Sequence, residues 1–129
     1  MVISYSQFLN NYIKDKLNIN KLEVNNPSIN IACILDEFSY NCFKYEANFH
    51  QLGTKDWKAI IDKIKPDFLF VEAAWEGKNN EWIGKIVNLS KKKDSTLVYL
   101  VDYCKLNNIP TVFWAKEDPY DFHMFIDSA

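Results

Sequence analysis

The chain reads as an α/β protein built on a mostly parallel, doubly wound sheet, and three observations predict it. Residues 29–35, 68–71 and 109–114 are almost unbroken apolar runs, the signature of strands buried on both faces. Amphipathic stretches with apolar residues at helical spacing alternate with these runs. Each run then stops near charged residues: Asp36-Glu37, Glu72, and Lys116-Glu117-Asp118. Strands that alternate with helices through short connections form a parallel sheet covered on both faces, here a Rossmann-like three-layer sandwich of about four to five strands.

From the amino terminus, Phe8, Leu9, Tyr12, Ile13 and Leu17 fall near helical spacing behind Ser6, a candidate N-cap, which predicts a short amphipathic helix. The Asn-rich stretch 18–28, with Pro27, reads as a connection into the first strand. Residues 1–28 are thus an amino-terminal helix and connection, and residues 29–129 the Rossmann-like domain. After Asp36-Glu37, Phe38, Cys42 and Tyr45 or Glu46 recur at about one-turn intervals and predict a helix to about Ala47, with a short edge strand near residues 49–52.

Thr54 is the candidate N-cap of a helix carrying Trp57, Ile60, Ile61 and Ile64 at i, i+3, i+4 and i+7, closed by Lys65-Pro66. The strand at 68–71 leads into a polar segment, 76–93, that is long for an α/β connection and so reads as functional or mobile. Trp75 and Trp82 flank it, as a platform for a sugar ring or as loop anchors. Asp94 or Ser95 caps a helix with Leu97, Leu100, Val101 and Cys104 on one face. Pro119 then opens a terminal helix running to Ala129.

At 129 residues and 48% hydrophobic, the chain holds one core rather than two. Its net charge of -2 supplies no basic field for nucleic acid or an anionic membrane, and the short run Lys91-Lys92-Lys93 reads as a solvated loop. Cys33, Cys42 and Cys104 are odd in number and lack C-x-x-C spacing, so they read as buried thiols in a reducing compartment, neither disulfides nor zinc ligands. No apolar run is long enough to span a bilayer, and the amino terminus lacks the clean apolar core of a signal peptide; the expected location is cytoplasmic.

The three glycines, Gly53, Gly77 and Gly84, form neither G-x-G-x-x-G nor a phosphate-binding loop, and there is no G-x-S-x-G elbow. No cofactor or metal is expected in this domain. His50 reads as an edge-strand residue, and His123, one turn beyond Pro119, lies near the strand ends where it could hydrogen-bond a ligand.

Right-handed crossovers align parallel strands, so the residues that follow them share one edge: Asp36 and Glu37, Glu72 through Trp75, and Lys116, Glu117 and Asp118. Like charges held close raise one another's pKa, which tunes a carboxylate toward general-base work. The functional reading is an acidic cleft for hydroxyl-rich or cationic ligands; the alternative is helix capping, by Asp36 and by Asp118 ahead of Pro119.

At these strand ends the sequence resembles bacterial glycosyltransferases of the spore-maturation CgeB-like type, at their amino-terminal domain. The matching stretches are Ile34-Leu35-Asp36-Glu37-Phe38 with Cys42-Phe43; Asp67 through Trp75 with Gly77, Trp82 and Lys85; and Asn108-Ile109-Pro110-Thr111-Val112-Phe113-Trp114 through Lys116-Glu117-Asp118-Pro119. The resemblance covers residues 29–129 and implies a GT-B architecture, with the acceptor-side domain present here and a carboxyl-terminal donor-binding domain elsewhere in a longer chain. It implies a sugar or glycoconjugate acceptor, a nucleotide sugar for the full-length protein, and no activity from this domain alone. On that reading Glu72, Glu117 and Asp118 are the candidate catalytic groups, and Asp36, Glu37, Trp75, Lys116 and His123 the candidate substrate contacts. Two alternatives are a receiver-like signalling domain, whose acids and lysine Asp36-Glu37, Glu72 and Lys116 imitate, and a non-catalytic interaction module of flavodoxin-like fold.

Overall fold

The computed structural model describes residues 24–89, 95–116 and 120–128. The predicted amino-terminal helix at 6–17, the lysine run 91–93, Asp94, and Glu117, Asp118 and Pro119 lie outside the described residues. Four strands, β1 (Asn26–Ile34), β2 (Ala47–Gln51), β3 (Phe68–Glu72) and β4 (Thr111–Trp114), form one all-parallel sheet in the order β2-β1-β3-β4. Between and after them run the helices α1 (Glu37–Phe43), α2 (Trp57–Ile64), α3 (Thr96–Leu106) and α4 (Phe122–Phe125).

The order dictates the layers. The β1-to-β2 step runs in the opposite direction to the steps that add β3 and β4, so right-handed crossovers send α1 to one face and α2 and α3 to the other. The pleat of β1 divides its buried residues accordingly. Ala32 and Ile34 join Leu69 and Val71 under Ile61, Leu97, Leu100 and Cys104, while Ile31, Cys33 and Leu35 meet Tyr40 and Phe43. On the α1 face the aromatic rings dominate: Phe43 meets Phe70 and Trp114 edge-on, and Phe70 stacks on Trp114.

Several boundaries differ from expectation for local reasons. β1 starts at Asn26 because the stretch around Pro27 still pairs with β2 across a register irregularity between Asn26 and Asn30, where a proline lacking an N–H is tolerated. α1 stops at Phe43 rather than near Ala47, since Ala47 already belongs to β2. Asp56, not Thr54, precedes α2; the Thr54 N–H and hydroxyl are both spent on the Glu81 carboxylate. Lys65 closes α2 in the left-handed region at φ 49, ahead of Pro66. Ser95 caps α3, its hydroxyl accepting from the Val98 N–H. Cys33 and Cys104 are buried as expected, but Cys42 is exposed on the outer side of α1. Burial, followed by the Glu72 charge, pushes the Cys33 thiol up, and burial pushes Cys104 up to about 11, so neither is a reactive thiolate.

The largest departure is the segment after β3. It is not a polar excursion: Trp82, Ile86 and Leu89 are buried in the core shared with α2 and α3. The Trp82 ring nitrogen donates to the Leu52 carbonyl at 2.8 Å, tying this segment to the end of β2, so Trp82 is an anchor and not a sugar platform. Trp82→Phe removes that donor and leaves a small void. It is expected to lower unfolding free energy by about 2 kcal/mol in urea denaturation; a loss within error would mean that the hydrogen bond contributes nothing.

Candidate functional site

Strand order reverses direction between β1 and β3, and the carboxyl ends of those strands are where doubly wound sheets open a crevice. The sequence puts Asp36 just after β1 and Glu72 at the last position of β3. Pleat alternation turns Glu72 toward the face of Phe70, which is the face α1 covers. There its carboxylate accepts from the Ser39 hydroxyl at 2.6 Å and from the Asp36 backbone N–H at 2.8 Å. Lys116, two residues past β4, completes the group with its ammonium 2.6 Å from Glu72 and 3.5 Å from Asp36. Glu72 is 0% exposed, so this ion pair is buried at one end.

Asp36 does a different task. One of its oxygens accepts from the Glu76 and Gly77 N–H groups at 2.9 and 2.8 Å, and the other from the Trp75 N–H at 3.0 Å. Three consecutive amides are thus folded around one carboxylate. Burial opposes its ionisation, but the N–H groups of Gly77, Glu76 and Trp75, with the Lys116 charge, outweigh burial and hold the carboxyl below the usual range. For Lys116, burial works against the ammonium, and the hydrogen bonds and charges of Glu72 and Asp36 prevail to hold it above its usual value. Gly77 is required in this turn: it sits at φ 65 and ψ -165, a region open essentially to glycine, and an added Cβ would come within 2.6 Å of the Trp82 ring.

The turn that Asp36 gathers forms one wall of an open cleft of about 530 Å³. Gly77 to Asn80 make that wall, with Asn79 and Asn80 in the left-handed region at φ 53 and 62, which asparagine tolerates better than most residues. Glu37 and Tyr40 of α1, with Glu76 and Gln51, complete its lining. Gln51 is fixed in place because its side-chain amide pairs with the Leu35 backbone, receiving the N–H and donating to the carbonyl, so it continues the sheet one step past β2. A smaller hollow of about 280 Å³, near Asp62, Tyr103 and Asn107, lies at the opposite, amino-terminal edge.

Of the residues picked from sequence, the structure brings Asp36, Glu72 and Lys116 into direct contact. Glu37 is exposed on the adjoining cleft. Trp75 is 37% exposed and rests edge-on against Phe125, while His123 is exposed on α4; neither lines the cleft. Glu117 and Asp118 lie outside the described residues. Sequence reasoning missed Ser39, Tyr40, Gln51, Glu76, Lys78, Asn79 and Asn80. The Gly77-to-Asn80 run carried a turn signal that could have been read; Gln51 carried none.

The fold and this edge define a doubly wound α/β domain with a pinned polar knot at its switch point and an open polar cleft beside it. No family model, curated protein or solved structure matches the chain. Among the described residues there is no cluster of three or more His, Cys, Asp or Glu placed to hold a metal ion, and no helix long and apolar enough to cross a membrane.

Proposed function

We propose that this is the acceptor-side domain of a glycosyltransferase, receiving a hydroxyl-bearing sugar or glycoconjugate while a nucleotide sugar is held by a donor-binding domain of the same chain. A cytoplasmic location goes with this reading. The observation that carries it is the 530 Å³ cleft beside the switch point, whose walls combine the carboxylates of Glu37 and Glu76, the amides of Asn79 and Asn80 and the ring of Tyr40. Carboxylates and amides pair with vicinal hydroxyls, and a phenol ring supplies the apolar face that a sugar stacks on. The likeness at the strand ends to CgeB-like enzymes supports the same reading.

Within it, Asp36, Glu72 and Lys116 are positioning residues. Their polar atoms are committed to one another and to the 75–77 turn, which leaves Glu37 and Glu76 as the described carboxylates facing an acceptor hydroxyl. The receiver-like alternative draws less support: a phosphoryl acceptor must be open to its donor, whereas Glu72 is wholly buried. Titrating the isotope-labelled chain with a panel of methyl glycosides is expected to move the amide signals of Glu37, Gln51, Asn79 and Asn80 together. Shifts confined to other surfaces, or no shift with any glycoside, would overturn the proposal.

A further inference from the structure

We infer that the acceptor carries an anionic group, a phosphate or a carboxylate, seated in a second lobe of the same cleft; the inference rests on the function proposed above. This lobe, about 410 Å³, adjoins the first through the shared residues Tyr40, Gln51 and Lys78. It runs along the edge strand β2, between that strand and α2. The pairing of Ala32 with His50 places His50 on the sheet face that α2 covers, and Ile60, Lys63 and Ile64 of α2 complete the lobe.

Two observations give the lobe its chemistry. Among the described residues the buried His50 Nε2 atom has no hydrogen-bond partner, and a buried polar nitrogen calls for one, from a water or a ligand. The second is charge segregation. Among the described residues Lys63 and Lys78 line this lobe with no carboxylate, whereas the other lobe, which shares Lys78, is lined by the carboxylates of Glu37 and Glu76. Lys78 has an acidic neighbour, Asp56 at 3.7 Å, which is half exposed and outside the lining. A ligand spanning both lobes therefore meets acceptors for its hydroxyls at one end and two ammonium groups with an imidazole at the other. A neutral sugar would leave that end uncompensated.

The test is a titration of the full chain at fixed ionic strength with methyl glucoside, glucose 6-phosphate, glucuronate and inorganic phosphate, read by the His50 ring signals and the amides of Glu37 and Asn79. At least one anionic sugar is expected to bind about tenfold more tightly than methyl glucoside, to move the His50 ring, and to lose its advantage in both Lys63→Gln and Lys78→Gln. The better of glucose 6-phosphate and glucuronate identifies the group. Equal affinity for neutral and anionic sugars, or an advantage that survives both substitutions, overturns the inference. The two ideas separate cleanly. Methyl glucoside moving Glu37 and Asn79 with no anionic gain leaves the acceptor reading standing and removes the anion lobe. Inorganic phosphate moving His50 while no sugar moves Glu37 or Asn79 leaves only an anion-binding lobe and overturns both the acceptor reading and the inference built on it.

Discussion

Lys116→Met is expected to cost the domain about 3 kcal/mol of unfolding free energy, a drop in melting temperature on the order of 10 °C. Methionine preserves most of the side-chain length and removes the charge. The damage falls on Glu72, which is 0% exposed and, among the described residues, would keep only the Ser39 hydroxyl and the Asp36 N–H as partners. A buried carboxylate stripped of its cation is costly, whereas an uncharged pair of similar shape is not. The double variant Lys116→Met with Glu72→Gln should therefore recover a large part of the loss, because the glutamine carbonyl still accepts from Ser39 or the Asp36 amide. Urea denaturation of both variants decides the matter: a single-variant loss below about 1 kcal/mol, or no recovery in the double, would show that the pair behaves like an exposed surface bridge.

Asp36→Asn should remove about 2 kcal/mol at neutral pH, and the size of that gap should depend on pH. The folded protein holds the Asp36 carboxyl below its unfolded value, so the unfolded chain binds the proton first. Its stabilisation is complete above the unfolded pKa of about 3.9 and is lost as pH falls through the lower folded value. Wild-type and variant stability curves are thus expected to run parallel above about pH 5 and to converge below about pH 4. A gap that stays constant down to pH 2 would mean that the three amides of the 75–77 turn do not depend on the charge they surround. Lys116 acts in the opposite sense. Its raised value stabilises the fold below about pH 10.4, and that contribution is lost as pH rises through the folded pKa.

The α/β class, the core strands and the face of α3 were legible because a strand buried on both faces must be apolar throughout, and a helix against a sheet must repeat its apolar residues. The meeting of Asp36, Glu72 and Lys116 was legible for a related reason, since parallel strands bring their carboxyl ends to one edge. What those residues do there was not. Whether a strand-end acid is open to ligand or pinned depends on where amides such as those of Trp75 and Gly77 fall, and that is tertiary geometry without a local pattern. The segment after β3 misled for its composition: Lys, Asn and Glu outnumber the apolar residues, yet Trp82, Ile86 and Leu89 anchor it in the core. Gln51 was invisible because its part depends on ending a strand beside Leu35, not on its own character.

The all-parallel order also has a kinetic side. No strand pair here closes through a hairpin; each waits for a crossover, and the contact between Asp36 and Lys116 joins positions 80 residues apart. Closing such a separation is entropically slow, so this contact forms only after β4 has docked, late on the folding route. Interactions absent from the transition state govern escape from the native basin rather than arrival in it. Losing the Lys116 ammonium is therefore expected to raise the unfolding rate while leaving the folding rate nearly unchanged, as stopped-flow kinetics of Lys116→Met would show.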